Sequence, residues 1–87
     1  MNNDIKNLKK KLIYRSQYRG TKEMDNLIGS FVENHINRFN KKELNELEKF
    51  LDFDDDSLYK IYNNQINDAK FNKLEIISLF KVFKYKK

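Results

Sequence analysis

Two of the three arginines in this chain, Arg15 and Arg19, lie four residues apart and just before Gly20. Most of the other positive charge comes from lysine, whose ammonium group acts as a point charge. A guanidinium group is instead a planar fork, which donates paired hydrogen bonds to a carboxylate or a phosphate. Residues 14–31 also contain both glycines of the chain. This segment therefore predicts ionic recognition, and the functional residues are expected within it.

The arginine pair has two interpretations. On one helix, like charges four residues apart oppose helix formation by about 0.2–0.5 kcal/mol, so a compensating interaction is expected. In the first interpretation, Glu23 or Asp25 pairs with Arg19 across the Gly20 turn and joins two helices. In the second, both arginines stay available to carboxylates or phosphates of another molecule. The residue types leave both interpretations open.

The sequence contains no set of residues with the spacing of a catalytic site. Cysteine is absent, the single histidine is His35, and no glycine-rich phosphate loop or metal-ligand pair occurs. His35 falls beside an apolar stripe and is interpreted as a residue at the core boundary. The acidic run 52–56 does not fit a calcium loop, because Ser57 stands where glycine is required and Asn63 where glutamate is required. The sequence predicts a protein that is not an enzyme and that holds neither a metal nor a cofactor.

Length and composition predict a single helical domain, residues 1–87, whose fold depends on packing alone. A chain without cysteine forms no disulfide bond. No apolar run approaches the roughly 18–20 residues that cross a bilayer, and residues 1–10 lack the apolar segment of a signal peptide. The predicted location is the cytoplasm of a bacterium, without membrane insertion.

The positive charge provides an alternative function. A net charge of +5 is compatible with a small basic helical module that binds nucleic acid or a membrane surface through its lysines. The lysines are mostly scattered, however, apart from Lys9 to Lys11 and the basic C-terminal tail 84–87. Base recognition also favours arginine over lysine, so nucleic acid is not the expected partner. Binding that weakens steeply with salt would distinguish this alternative.

Apolar residues recur at helical spacing along the chain, which predicts an all-α, compact five-helix bundle. The first helix is predicted at about 4–18 and the fifth at about 68–83. The apolar stripes of the second, third and fourth helices run from Met24 to Ile36, from Leu44 to Leu51 and from Leu58 to Ile66.

Local signals separate these helices. Gly20 is expected to end the first, because the residue beyond a helix end often adopts a left-handed conformation that glycine takes at least cost. Thr21 is placed to cap the second helix, Asn40 to cap the third, and an aspartate of the acidic run to cap the fourth. Gly29 inside the second helix costs about 1 kcal/mol relative to alanine, which predicts that another backbone approaches closely.

Residues 19–25 read Arg-Gly-Thr-Lys-Glu-Met-Asp, which resembles the signature of the succinate dehydrogenase flavinylation factors. These are known as SdhE in bacteria and as assembly factor 2 in mitochondria. The similarity extends to Tyr14, Arg15 and Ser16 upstream and to Leu27, Gly29 and Phe31 downstream. It resumes at Leu51, Asp54, Asp55, Leu58 and Tyr59, so it covers roughly residues 8–62. Three positions depart from the family pattern: Tyr18, Asp56 and Ile61 stand where a basic residue or His, a Pro and a Trp are common.

The resemblance implies a five-helix fold and a dedicated partner, the FAD-carrying flavoprotein subunit of succinate dehydrogenase and sometimes of fumarate reductase. It implies that the chain holds no cofactor and that a histidine of the flavoprotein itself attacks the flavin. The free chain is expected to be a monomer. The predicted partner-binding residues are Arg15, Tyr18, Arg19, Gly20, Glu23 and Asp25.

Overall fold

Helices form all the regular structure in the part of the chain that the computed structural model describes, residues 2–66 and 73–84. The five α-helices and one short 3-10 helix of this part are α1 Asn2–Gln17, α2 Lys22–His35, the 3-10 helix Ile36–Arg38, α3 Lys41–Leu51, α4 Asp55–Tyr62 and α5 Ile76–Val82. The radius of gyration is 12.4 Å, close to the value of about 12 Å expected for a compact chain of this length. The predicted all-α fold is confirmed.

The capping residues predicted from the sequence are confirmed. The Thr21 hydroxyl accepts a hydrogen bond from a backbone N–H in the first turn of α2 (3.2 Å). Asn40 and Glu43 form a complete capping box, in which each side chain accepts from the other residue's N–H at 2.9 Å. Asp54 caps α4 through Ser57, and the hydrogen bond from the Ser57 hydroxyl lowers the pKa of the Asp54 carboxyl.

The end of α4 differs from the prediction. Its apolar stripe was expected to reach Ile66, but the helix ends at Tyr62. Asn64 takes a positive φ of 59°, which asparagine tolerates better than most residues. The N–H of Asn64 donates to the Ile61 carbonyl and that of Gln65 to the Lys60 carbonyl, at 3.1 and 2.8 Å. This pattern is a Schellman motif, which closes the helix and leaves Ile66 to pack against the core from outside it.

The fifth helix begins later than predicted. Residues 73–75 form a turn and α5 starts at Ile76, whereas residues 68–72 of the predicted helix lie outside the described part of the chain. The start of α5 is held by the buried carboxylate of Glu46, which accepts a hydrogen bond from the Ile76 N–H at 3.2 Å. A carboxylate at this point satisfies a free N–H of the first turn, so a residue on α3 determines where α5 begins.

The core lies where the stripes of the helices meet. Phe31 on α2 is its centre, with ring centroids 5.6 Å from Phe50, 5.1 Å from Phe80 and 5.5 Å from Phe83. Helix α1 packs on α2 and α3, while α5 packs on α3 and α4. Buried apolar side chains form one cluster: Leu12, Met24, Leu27, Ile28, Phe31, Val32, Ile36, Phe39, Leu44, Leu47, Phe50, Leu51, Leu58, Ile61, Ile76, Ile77 and Phe80.

Gly29 lies at a close contact between α2 and the end of α1. A Cβ at this position would lie 3.2 Å from Cγ of Gln17 and 3.7 Å from the Ser16 carbonyl oxygen. The close approach predicted from a glycine inside a helix is therefore confirmed. It fixes the end of α1 against α2, directly before the turn that contains Arg19 and Gly20.

Gly29 gives a first testable prediction. Gly29→Ala is expected to leave stability within about 1 kcal/mol of wild type, because its helix propensity offsets a contact that the Gln17 side chain can relieve. Gly29→Val is expected to cost about 1–3 kcal/mol, since its additional methyl groups meet the α1 backbone, which cannot move without separating the helices. Urea unfolding of both variants measures the difference. Equal stability of the two variants would contradict the close contact.

Candidate partner-binding surface

Arg19 is held inside the molecule. Its Nε donates to Oδ1 of Asp55 at 2.6 Å, one terminal nitrogen donates to the Leu51 carbonyl at 2.9 Å, and the other donates to the Phe53 carbonyl. The side chain is only 9% exposed, and that of Asp55 is 28% exposed. All three nitrogens of the guanidinium group therefore tie the α1–α2 turn to the α3–α4 loop and to the start of α4.

The two carboxylates that the first interpretation paired with Arg19 do not contact its guanidinium group. The Asp25 carboxylate accepts the backbone N–H of Arg19 instead. Glu23 is exposed, and its side chain makes no hydrogen bond or ion pair within the described residues. The guanidinium group is paired within the chain, but its acceptors are Leu51 at the end of α3 and Phe53 and Asp55 in the acidic run. The reason is geometric, because the turn directs the Arg19 side chain away from α2 and towards that loop.

Arg15 forms a separate ion pair with Asp52. Its terminal nitrogen donates to Oδ1 of Asp52 at 2.6 Å, and the two side chains are 32% and 65% exposed. An exposed ion pair of this kind contributes about 0–1 kcal/mol. Arg19 lies beyond the end of α1 at Gln17, so the expectation that both arginines share one helix is wrong. Each arginine has a separate carboxylate partner, and Arg15 can exchange Asp52 for another carboxylate at little cost.

Two tyrosines lie beside Arg15, Tyr14 on α1 and Tyr18 directly after its end. Tyr14 and Tyr18 are 65% and 68% exposed, and their ring centroids are 4.5 Å apart. With Arg15, Arg19 and Leu51 they line an open depression. Exposed tyrosines held by each other are frequent anchors of protein interfaces. Tyr18 was predicted as a partner-binding residue, whereas Tyr14 was not, although their spacing of four residues is a signal for such a pair.

Gly20 lies on the surface between Arg19 and α2. Its φ of +125° confirms the predicted turn, since side-chain-bearing residues rarely take this conformation. A Cβ at Gly20 would have no atom within 4 Å. The position is therefore open to solvent, and the absence of a side chain leaves room for the backbone of another molecule.

A groove lies between the first turns of α2 and α4. We call it the acidic groove, and it is lined by Glu23, Met24, Asp55, Asp56 and Tyr59. We call Tyr14, Arg15 and Tyr18 the tyrosine face. The ion pair between Arg19 and Asp55 lies between the two, because Arg19 borders the depression at the tyrosine face and Asp55 borders the groove.

The carboxylates of the acidic run have partners within the chain: Asp52 with Arg15, Asp54 with Ser57, Asp55 with Arg19 and Asp56 with Lys60. No group of three metal-ligating side chains occurs in the part of the chain that the structure describes. In the same residues, no helix is long and apolar enough to cross a membrane.

His35 packs against the core, and its Nδ1 lies 2.8 Å from the Phe31 carbonyl oxygen.

The predicted site residues therefore form one continuous region around the α1–α2 turn. Arg15, Tyr18, Gly20 and Glu23 face outward, whereas Arg19 and Asp25 are bonded behind them. Aromatic residues and arginine are enriched at protein interfaces, and both occur on this open surface. Fold and surface together are those of a small helical bundle with a candidate protein-binding surface.

The chain belongs to the family described as flavinator of succinate dehydrogenase, whose model matches residues 10–84. This confirms the resemblance read from residues 19–25 and their surroundings. The chain is also 34% identical over 56 residues to a protein of Aspergillus flavus named succinate dehydrogenase assembly factor 2, mitochondrial. That similarity covers 64% of this chain and 19% of the relative, so the chain spans about a fifth of the relative's length. No solved structure matches the chain.

Proposed function

We propose that this chain is an assembly factor that binds the flavoprotein subunit of succinate dehydrogenase and promotes covalent attachment of FAD to it. The observation that carries the proposal is the family match across residues 10–84. It is supported by the region around Gly20, where the family-like residues 19–25 lie together with exposed charged and aromatic side chains.

In this proposal the chain supplies a binding surface, and the partner supplies the chemistry. The flavoprotein holds FAD, and one of its own histidines attacks the flavin. The chain raises the rate by keeping the partner's histidine and flavin in a reactive arrangement, which lowers the entropy cost of the reaction. It acts neither as an enzyme nor as a carrier of FAD.

The proposed contacts come from both sides of the turn. Arg15 and Tyr18 on the tyrosine face and Glu23 in the acidic groove offer charged and aromatic groups to the partner. Gly20 lets the partner backbone approach, and Asp25 supports the turn by accepting the Arg19 N–H. Arg15 can leave Asp52 for a carboxylate on the partner, because the ion pair that it would give up is exposed and weak.

The compartment and the oligomeric state belong to the same proposal. We propose that the free chain is a monomer. The cytoplasmic location predicted from the sequence stays a prediction, and the Aspergillus flavus relative is named as mitochondrial. Fumarate reductase is a second candidate partner, because the family resemblance implies that its flavoprotein subunit is sometimes bound as well.

Co-expression tests the proposal directly. The flavoprotein subunit is expressed with and without this chain, denatured, separated on a gel and examined for flavin fluorescence. The chain is expected to raise the covalent flavin severalfold. Only covalently attached flavin survives denaturation, so the fluorescence on the gel reports attachment alone. A flavoprotein without its acceptor histidine controls for bound but unattached FAD. Equal fluorescence with and without the chain would refute the proposed function.

A further inference from the structure

We infer that Arg19 is a positioning residue, which does not touch the partner but sets the distance between the two walls of the acidic groove. The inference rests on the proposed function, because the groove contains Glu23, one of the proposed contacts. It changes the role of Arg19 from that of a charged group offered to a partner to that of an internal brace.

The hydrogen bonds of Arg19 support an internal role. Its three side-chain nitrogens all donate within the chain, two of them to the backbone carbonyls of Leu51 and Phe53. Two of the five guanidinium N–H groups are not used in these bonds, but the side chain is only 9% exposed, so a partner carboxylate has little access to them. Binding through the other three N–H groups would displace the acceptors, and the two carbonyls would lose charge-assisted hydrogen bonds.

Arg19 is bonded to both walls of the groove. Its backbone N–H is accepted by Asp25 in the first turns of α2, and its Nε donates to Asp55, the first residue of α4. The groove lies between these same two helix starts, with Glu23 on one wall and Asp55 on the other. One residue therefore holds the α2 wall through its backbone and the α4 wall through its side chain.

Charge adds a second contribution. Glu23, Asp55 and Asp56 line the same groove, and like charges that share a groove repel each other. Arg19 offsets the charge of Asp55, whose Oδ1 lies 2.6 Å from Nε of the guanidinium group. Without the guanidinium group, the carboxylates of the two walls would repel each other without this compensation. The groove is then expected to widen, even though Glu23 itself has not been changed.

A double-mutant cycle on partner affinity tests this inference. Binding to the apo-flavoprotein subunit is measured for wild type, Arg19→Ala, Asp55→Ala and the double variant. Each single change is expected to weaken binding about tenfold or more, as for residues that support an interface centre. If Arg19 acts through Asp55, the double variant loses no more affinity than the single variant that binds less tightly. If the two residues contacted the partner independently, their losses of affinity would instead multiply to about a hundredfold.

Loss of stability needs its own control. Arg19→Ala leaves two carbonyls without their donor, so its Tm is expected to fall by about 5–15 °C. Ile77→Val and Ile77→Ala truncate a buried residue of α5 that borders neither the groove nor the tyrosine face. The variant whose Tm is closer to that of Arg19→Ala serves as the match. All binding is measured at a temperature at which every variant is folded, and the match is expected to bind like wild type.

Hydrogen exchange on the free chain gives a readout that needs no partner. Arg19→Ala is expected to increase exchange severalfold at the amides of Ser57 and Leu58, which follow Asp55. The matched Ile77 variant is expected to leave exchange at these amides unchanged. Unchanged exchange at these amides would overturn the inference, because the brace would then not hold α4.

Two binding results would also overturn it. Losses that multiply in the double variant would show that Arg19 contacts the partner independently of Asp55. Affinity of Arg19→Ala equal to that of the matched variant would show that Arg19 contributes only to stability. A wild-type chain that does not bind the flavoprotein would refute the proposed function, and hydrogen exchange alone would then decide whether Arg19 braces the groove.

Discussion

Replacing Gly20 with arginine is expected to remove most of the covalent flavin from the partner while leaving a folded helical chain. Two effects act together. A residue with a side chain at a φ of +125° is strained by about 1–3 kcal/mol. The side chain also extends from an open position into the proposed contact, where displacement of a desolvated partner surface can reduce binding about tenfold or more. A melting curve and a flavin-fluorescence gel measure the two effects separately.

Gly20→Ala is the matched control for the arginine variant. It carries the same backbone strain, but its methyl group would have no neighbour within 4 Å. The two variants are therefore expected to melt at similar temperatures and to differ strongly in the flavin attached to the partner. If both lose covalent flavin equally, in proportion to the fraction unfolded, Gly20 serves the turn alone and is not part of the contact.

Features fixed by neighbouring residues were predictable from the sequence. Thr21, Asn40 and Asp54 cap the helices that follow them because their side chains reach a backbone N–H only a few residues away. Gly20 and Gly29 identified a turn and a close helix contact, since each allows something that a side chain would hinder. In each case the physical cause lies within one turn of the chain or in the absence of a Cβ.

The partner of Arg19 was not predictable in the same way. Asp55 lies 36 residues further along the chain, and many carboxylates compete for the role in a chain with 13 acidic residues. Glu23 and Asp25 were nearer in sequence, but the direction of the turn excludes them. The start of α5 has the same kind of cause, because Glu46 on α3 determines it through Ile76. Spacing along one helix carries no information on such contacts.

The candidate site was predictable as a region but not in its division of roles. The segment 14–31 contains the outward-facing Arg15, Tyr18, Gly20 and Glu23, as the clustering of arginine and glycine indicated. The orientation of Arg19 depends on tertiary packing, so its sequence position could not distinguish an internal brace from a partner contact. Whether the outward-facing residues bind the flavoprotein stays a prediction.

Phe31→Ala is expected to have the largest effect on stability. The ring is completely buried, and it contacts Phe50, Phe80 and Phe83 with centroid distances of 5.6, 5.1 and 5.5 Å. Loss of a buried phenylalanine side chain costs about 3–5 kcal/mol. The whole stability of a domain of 87 residues is only about 4–13 kcal/mol. The variant is therefore expected to lose a large part of this stability, which urea titration followed by circular dichroism measures.

Two further variants separate the aromatic cluster from general sensitivity to mutation. Phe31→Leu keeps much of the apolar volume and is expected to lose markedly less stability than Phe31→Ala, because a smaller cavity remains. Val82→Ala on α5 changes a side chain that is 72% exposed, so its effect is expected within about 0.5 kcal/mol. A loss of less than about 1 kcal/mol for Phe31→Ala would contradict a core centred on this ring, because cavity formation in a packed interior costs more than that. It would also mean that the packing of α2 around Phe31 does not hold the α1–α2 turn in place.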